Sequence, residues 1–223
     1  ADVVTGVPTI GEYVSENQNF GSTVGRYIGR ISGPSFVIDS VEYQLQGYGK
    51  AAHISHGGKP GFANRVWNIE KVTDNMVLLS YLSPDGESGF PGNLQVYLTY
   101  SLTDDNALDL RYEATTDAPT VLNLSHHSFF NVSGNFHQTV DNQTMWIDGE
   151  CITPYNEKKN VVGGYMPVEG TPFDFRTPHA VGERLQEEND QLKVTRGYDH
   201  TWVLNTHGDD TRPAVWIYDQ ESG

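Results

Sequence analysis

A single cysteine, Cys151, stands in 223 residues, which excludes an internal disulfide and leaves the redox compartment open. Basic side chains are scarce: 14 Lys and Arg against 29 Asp and Glu give a formal charge of −15. With nothing basic clustered to neutralise phosphates, nucleic acid, anionic membranes and polyphosphates are excluded as main partners. No apolar run approaches the length of a membrane span. The first residues lack the charged-then-apolar layout of a secretory leader, although a trimmed chain would look the same. The cytoplasm is the plainer expectation for the compartment, and secretion is left open. Sequons begin at Asn123, Asn131 and Asn142 and decide nothing without a secretory context.

Helical patterning is thin too. Pro178 to Glu188 is expected to hold a short helix, and nothing else persists for three turns. What the chain has instead is strand patterning. Ser35 to Leu45 reads as two short strands around a turn. Met76 to Leu82 is rich in strand-favouring side chains and is stopped by the turn signal Pro84-Asp85-Gly86. Leu94–Leu102 and Ala107–Ala114 alternate apolar with polar, so each should lay one face on a core, with Thr103-Asp104-Asp105-Asn106 as the hairpin loop between them. Thr120–Leu124 reads as a further strand. Turn signals every ten or so residues between short strands predict an all-β protein, a large antiparallel sandwich. With no internal repeat, low-complexity segment or linker, residues 1–223 are expected to form a single domain.

The chemistry gathers in two places. Asn123-Leu124-Ser125-His126-His127-Ser128-Phe129-Phe130-Asn131 sets a histidine doublet in an apolar, aromatic run, where imidazole needs hydrogen-bond partners. If the segment is extended, His126 and His127 point to opposite faces. Upstream, His56 precedes Gly57-Gly58, where the backbone can bend sharply and let a ligand approach. Taken alone, each histidine reads more readily as a satisfied core residue. His53 and His56 with the doublet raise a metal site, but no carboxylate or cysteine falls at ligand spacing nearby, so no metal is expected. Arg26 and Arg30 are an even number of residues apart and share a face if extended; they are either surface charge or guanidinium donors to substrate hydroxyls. Asp199, in Gly197-Tyr198-Asp199-His200, is either a turn residue or an acceptor for hydroxyls. Phe62, Trp67 and Phe129 are core or stacking groups for a sugar face, core being the plainer reading.

In order and wording these segments resemble the aldose 1-epimerases, the galactose mutarotases. That family carries Gly-Arg-x-x-Asn-Arg-Ile, Leu-His-Gly-Gly followed by Gly-Phe and Trp, Tyr-Pro-Gly, Asn-Leu-Thr-Asn-His-x-Tyr-Phe-Asn, Thr-Pro-Phe-Asp-Phe and Gly-Tyr-Asp-His. Here the same order gives Gly25 to Ile31, Ser55 to Gly58, Gly61-Phe62 and Trp67, then Phe90-Pro91-Gly92 and Asn123 to Asn131. Thr171-Pro172-Phe173-Asp174-Phe175 and Gly197 to His200 follow. The resemblance implies a β-sandwich of the galactose mutarotase type that interconverts the anomers of free aldohexoses such as galactose and glucose. It implies His127 as catalytic acid, His56 as the histidine hydrogen-bonding the sugar near its reacting end, Arg30 as a substrate-binding arginine, and Asp199 as the acceptor of sugar hydroxyls. The partner would be a small aldose, and no cofactor or metal would be needed.

Departures from the pattern bear on sugar preference. Gly29 stands where the family usually has asparagine, His126 replaces another asparagine, and Ser55 replaces the leucine before His56. The family's general base is a glutamate near its C-terminal end, and Glu221 does not match it. The opening residues Ala1 to Gly6 read as the middle of a strand. Strands are therefore expected to be missing at both ends, and the chain alone is expected to show little or no mutarotase activity, with open edges inviting association. Two other readings are a hexose-6-phosphate 1-epimerase of the same fold, with Lys59 and Arg65 as the basic pair nearest His56, and a non-catalytic carbohydrate-binding domain.

Overall fold

A computed structural model describes residues 2–15, 19–47 and 53–223. These residues group into two compact units: a middle unit, Ser22–His126, and a terminal unit, Ala1–Gly21 with His127–Gly223. The middle unit holds β1 (Thr23–Val24), β2 (Arg30–Ser32), β3 (Ser35–Ile38), β4 (Val41–Gln44), β5 (His53–Ser55), β6 (Asn68–Val72), β7 (Met76–Ser83), β8 (Leu94–Leu102), β9 (Leu108–Thr116) and β10 (Ser125–His126). The terminal unit holds β11 (Thr144–Ile147), β12 (Gly149–Ile152), β13 (Met166–Pro167), β14 (His179–Ala180), β15 (Trp202–Leu204) and β16 (Val215–Tyr218), with helices α1 (Ile10–Ser15) and α2 (Asp190–Thr195). The ladders between these strands are antiparallel, so the all-β expectation is met.

In the middle unit the largest sheet runs β6-β7-β8-β9. Alternation explains it: Leu94, Val96 and Leu98 go into the core while, between them, Gln95 stays partly exposed and Tyr97 exposed. The β8–β9 loop closes where the Thr103 N–H donates to the Ala107 carbonyl, the Ala107 N–H donates back to Thr103 Oγ1, and Asn106 takes a positive φ of 64°. Between β7 and β8, Gly86 at φ 78° turns the chain, and the Asp85 carboxylate accepts the Gly92 N–H at 2.6 Å. Two small cores follow, one of Leu45, Ile54 and Phe90, the other of Phe62, Leu94 and Val96 with Trp67 and Tyr81 against it.

In the terminal unit, sheets β14-β11-β16 and β13-β12-β15 accompany a core of Ile152, Val168, Phe173 and Leu192. Of the opening stretch read as a strand, Ala1 lies outside the described residues, while Val4 bridges Phe130 in antiparallel fashion. Among the described residues no helix is long and apolar enough to cross a membrane.

Two segments differ from expectation. Residues 120–124 do not form a regular strand: Asn123 alone bridges Tyr27, in parallel, and the ladder begins at Ser125. The Asn123 N–H and C=O go to Arg26 and Ile28, a non-repetitive backbone that offers no register to extend. No helix spans 178–188 either. His179 and Ala180 pair with Met145 and Thr144, and Val181 and Gly182 continue by bonding to Gln143 and Asp141. The helix starts downstream, where the Asn189 side chain accepts the N–H groups of Gln191 and Leu192.

Candidate active site

The middle unit carries Arg30 and His56. Arg30 opens β2 and pairs with Ser55, the last residue of β5, so His56 follows directly across from Gly29. His56 and Gly29 are doubly linked: the His56 N–H donates to the Gly29 carbonyl at 2.9 Å, and the Gly29 N–H donates to His56 Nδ1 at 3.4 Å. An Nδ1 that accepts leaves the proton of a neutral ring on Nε2. Both side chains are half-buried.

His56 sits at φ 52°, and Gly57 continues the left-handed course at φ 82°. A Cβ on Gly57 would come within 1.8 Å of the Gly25 carbonyl oxygen. The glycine is thus required by the approach of a second backbone segment, where the sequence pointed to approach of a ligand. His53, on β5, pairs with Ser32. Among the described residues, no group of three or more His, Cys, Asp or Glu could hold a metal ion.

Arg26 corrects both readings offered for it. It is neither surface charge nor a substrate donor: the residue is 2% exposed. Its Nε donates to Ser83 Oγ at 2.9 Å, Nη1 to the Pro91 carbonyl at 2.8 Å and Thr120 Oγ1 at 3.3 Å. Nη2 reaches the carbonyls of Ser83, Pro84 and Gly92 at 3.0, 2.9 and 2.8 Å. Burial pulls its pKa down, opposed first by the charge of Glu87. Glu87 is one hydroxyl away, accepting from Ser83 Oγ, from the Tyr81 hydroxyl at 2.7 Å and from Arg65 Nη2 at 2.6 Å. Burial, and then the bond to this carboxylate, push the Tyr81 phenol up to about 12. Phe62 is core, in edge contact with Trp67 at 5.8 Å and Tyr81 at 5.3 Å.

The two members of the histidine doublet have different surroundings, and only His126 lies in a strand. His126 pairs with Thr23 in β10 and sets its ring edge-on to Tyr100 at 5.5 Å. His127 opens the terminal unit's part of the chain: its carbonyl accepts the Gly21 N–H at 3.0 Å, and its ring lies 5.0 Å from Phe129. Phe129 in turn meets Phe20 at 5.1 Å and keeps 41% of its surface exposed, so it is not a core residue. The motif ends on Asn131, buried, whose Oδ1 accepts from Gln143 Nε2 at 2.6 Å.

Asp199 is exposed on a turn gripped on both sides. Ahead of it the Tyr198 hydroxyl donates to the Pro172 carbonyl at 3.0 Å. Behind it His200 Nε2 lies 3.2 Å from Gln191 Oε1, its ring between Phe173 at 4.5 Å and Tyr155 at 5.1 Å. Trp202 Nε1 donates to the Phe173 carbonyl at 3.1 Å. Thr171 to Phe175 is therefore scaffold for that turn. Within it the Arg176 guanidinium grips Asp174 at 2.7 and 2.8 Å and holds its carboxyl below the usual range.

The structure thus sets Arg30 beside His56 in the middle unit, and carries His127 and Asp199 in the terminal unit. What sequence reasoning missed is the network around Arg26 and Glu87; its only trace was the Arg26/Arg30 pair, which gave no sign of which arginine is buried.

The sequence profile of the aldose 1-epimerase family matches residues 1–223. The chain is 35% identical over 211 residues to an aldose 1-epimerase of Escherichia coli K12, covering 94% of this chain and 60% of that protein. It is 35% identical over 204 residues to a galactose mutarotase of Sus scrofa, covering 92% and 57%. The structure of a galactose 1-epimerase from Lactobacillus acidophilus superposes with a TM-score of 0.85 at 27% identity, over 97% of this chain and 63% of that one. The chain therefore spans about three fifths of the length of these relatives. The likeness also assigns the all-β sandwich of the mutarotase type. With the profile matched from end to end, this chain belongs to the aldose 1-epimerase family.

Proposed function

We propose that the full-length protein interconverts the α and β anomers of free aldohexoses, galactose and glucose among them. His127 is the acid that protonates the ring oxygen as the C1 hydroxyl gives up its proton. The bond from C1 to the ring oxygen breaks, C1 becomes a carbonyl, and rotation about C1–C2 presents its other face. Return of the ring oxygen and transfer of both protons back close the opposite anomer. Imidazole can both give and accept a proton, which suits a reaction whose half-reactions run in both directions. The base for the C1 hydroxyl is assigned to none of the residues described above.

His56 donates a hydrogen bond near the reacting end, Arg30 donates to hydroxyls, and the Asp199 carboxylate accepts from them. The observation that carries the reading is the double link between Gly29 and His56 beside Arg30. It supports a neutral, oriented imidazole and a guanidinium presented together, a pair suited to a polar, uncharged ligand. The chemistry calls for no cofactor or metal.

The phosphate-sugar alternative is the weaker reading. Arg65, one of the basic pair it would need, is held by Glu87 at 2.6 Å, which leaves Lys59 of that pair. Polarimetry on the full-length protein decides. Fast conversion of α-galactose or α-glucose, lowered about 10³-fold in His127→Ala, is expected. Preference for glucose 6-phosphate would overturn the choice of substrate. Sugar binding with no conversion would make this a carbohydrate-binding domain.

A further inference from the structure

We propose that Arg26 is a positioning residue for the sugar site: its guanidinium fixes the backbone on which Arg30, His56 and the approach to the histidine doublet are mounted. The inference rests on the mutarotase reading above and extends it to a residue that touches no substrate.

The argument follows residues 25–30. The Gly25 carbonyl accepts the Phe62 N–H and closes on Gly57. The Arg26 carbonyl accepts the Asn123 N–H at 2.8 Å, and the Ile28 N–H returns to the Asn123 carbonyl at 2.8 Å. Gly29 holds His56 by both of its backbone groups, and Arg30 pairs with Ser55. One short segment therefore sets the His56 loop on one side and the strand toward His126 on the other. Such a non-repetitive segment has no ladder of its own to keep it in place. To these backbone bonds the Arg26 side chain adds six hydrogen bonds: four to carbonyls of residues 83–92, one to Ser83 Oγ and one to Thr120 Oγ1.

The chemistry of those acceptors explains why the residue is arginine. They surround a plane, which a fork of N–H donors matches and a point-like ammonium does not. Among the described residues no carboxylate bonds the guanidinium directly. The Glu87 charge is relayed through Ser83 Oγ, so the cation is free to bind carbonyls at both ends of the β7–β8 connection. A solubility or ligand-binding role has no use for a cation at 2% exposure.

The test compares the full-length parent, His127→Ala, Arg26→Lys and Thr120→Val by polarimetric kcat and KM together with melting temperature. Arg26→Lys keeps the charge and loses the fork. Its kcat should fall about 100-fold in the folded protein, the scale of a small misplacement of reacting groups. Its KM should move less than about threefold, because the hydroxyl contacts remain. Thr120→Val removes one bond of the six at nearly constant volume and should lower kcat about fivefold, with a slightly lower melting temperature that leaves the protein folded at the assay temperature. A folded Arg26→Lys with the parent's kcat overturns the inference, as does a rate loss that only tracks the unfolded fraction. If Arg26→Lys does not fold, Thr120→Val decides alone, and the parent's kcat in that variant overturns it. A parent as silent as His127→Ala sinks the mutarotase reading, and the inference falls with it.

Discussion

The middle and terminal units hold their candidate site residues by different physics. Around His56 and Arg30 the work is done by directed polar contacts: a doubly linked Gly29 and His56, and beneath them a buried arginine answered by carbonyls and by Glu87. Around Asp199 the work is done by aromatic packing. Phe173, Tyr198 and Trp202 meet one another edge-on or tilted, and His200 is wedged against Phe173 and Tyr155. The first kind of support fixes geometry tightly and fails sharply when one partner is lost. The second is spread over many weak contacts and loses strength with the area removed.

The largest effect is expected where the aromatic cluster is deepest. Phe173 is fully buried, and Phe173→Ala should destabilise the protein by about 4 kcal/mol in urea unfolding. Phe173→Leu should recover most of that; an equal loss in both would mean that shape, not area, governs this region. Next comes Glu87→Gln, which leaves Arg26 and Arg65 without their shared counter-charge at a site only 8% exposed on the carboxylate side. About 3 kcal/mol of destabilisation is expected, although the side chain keeps its size. A loss under about 0.5 kcal/mol would show that the carbonyls alone neutralise the buried cation and would break the contrast drawn here.

Smaller effects separate the units by pH. The phenols of Tyr81 and Tyr112, in the middle unit, are pushed up to about 12, chiefly by burial. An acid held protonated in the fold adds stability in full below its unfolded pKa, near 10, and that stability is lost as pH rises toward 12. Trp67 lies 5.5 Å from Tyr81, so the fluorescence difference between the protein and Trp67→Phe should report loosening there over that window. In the terminal unit the sign is opposite. The bond from Arg176 holds Asp174 below the ordinary 3.8, so its contribution is present above that pH and is lost as pH falls through the lowered value. Acid titration of the Arg176→Gln variant, followed by near-UV circular dichroism, should show a shallower low-pH loss than the parent. Last, Lys193→Ala, which removes an ion pair to Glu188 on open surface, should leave the unfolding midpoint where it was.

The same contrast explains what could be read from the chain. Leu94–Leu102 and its hairpin partner were legible because alternation reports directly on a half-buried sheet, and the ladder runs from Leu94 to Leu102 as written. The hairpin of Ser35–Ile38 with Val41–Gln44 was legible for the same reason. Burial of a charge has no such signature. Arg26 and Arg30 look alike in the sequence, yet their fates are set by carbonyls nearly sixty and more residues away, at Ser83 and Gly92. Residues 120–124 were misread because their partner is a kinked backbone, and 178–188 because pairing with Met145 and Thr144 overrode a helical composition. The roles proposed for His56, His127, Arg30 and Asp199 came from motif order; the structure adds the bond of Gly29 to His56 and the pairing of Arg30 with Ser55.

Gly29 carries one more consequence. Its φ is +80°, yet a Cβ built there meets nothing within 4 Å, whereas the same atom on Gly57 would strike a carbonyl at 1.8 Å. Two glycines of one loop pair thus differ in how much history they can record. Position 57 is closed to change by the fold itself. Position 29 accepts asparagine, a residue at ease in that conformation, and holds the imidazole by main-chain atoms that no substitution short of proline removes. Residue 29 can therefore change over generations of sequence while the main-chain hold on the histidine beside it stays in place.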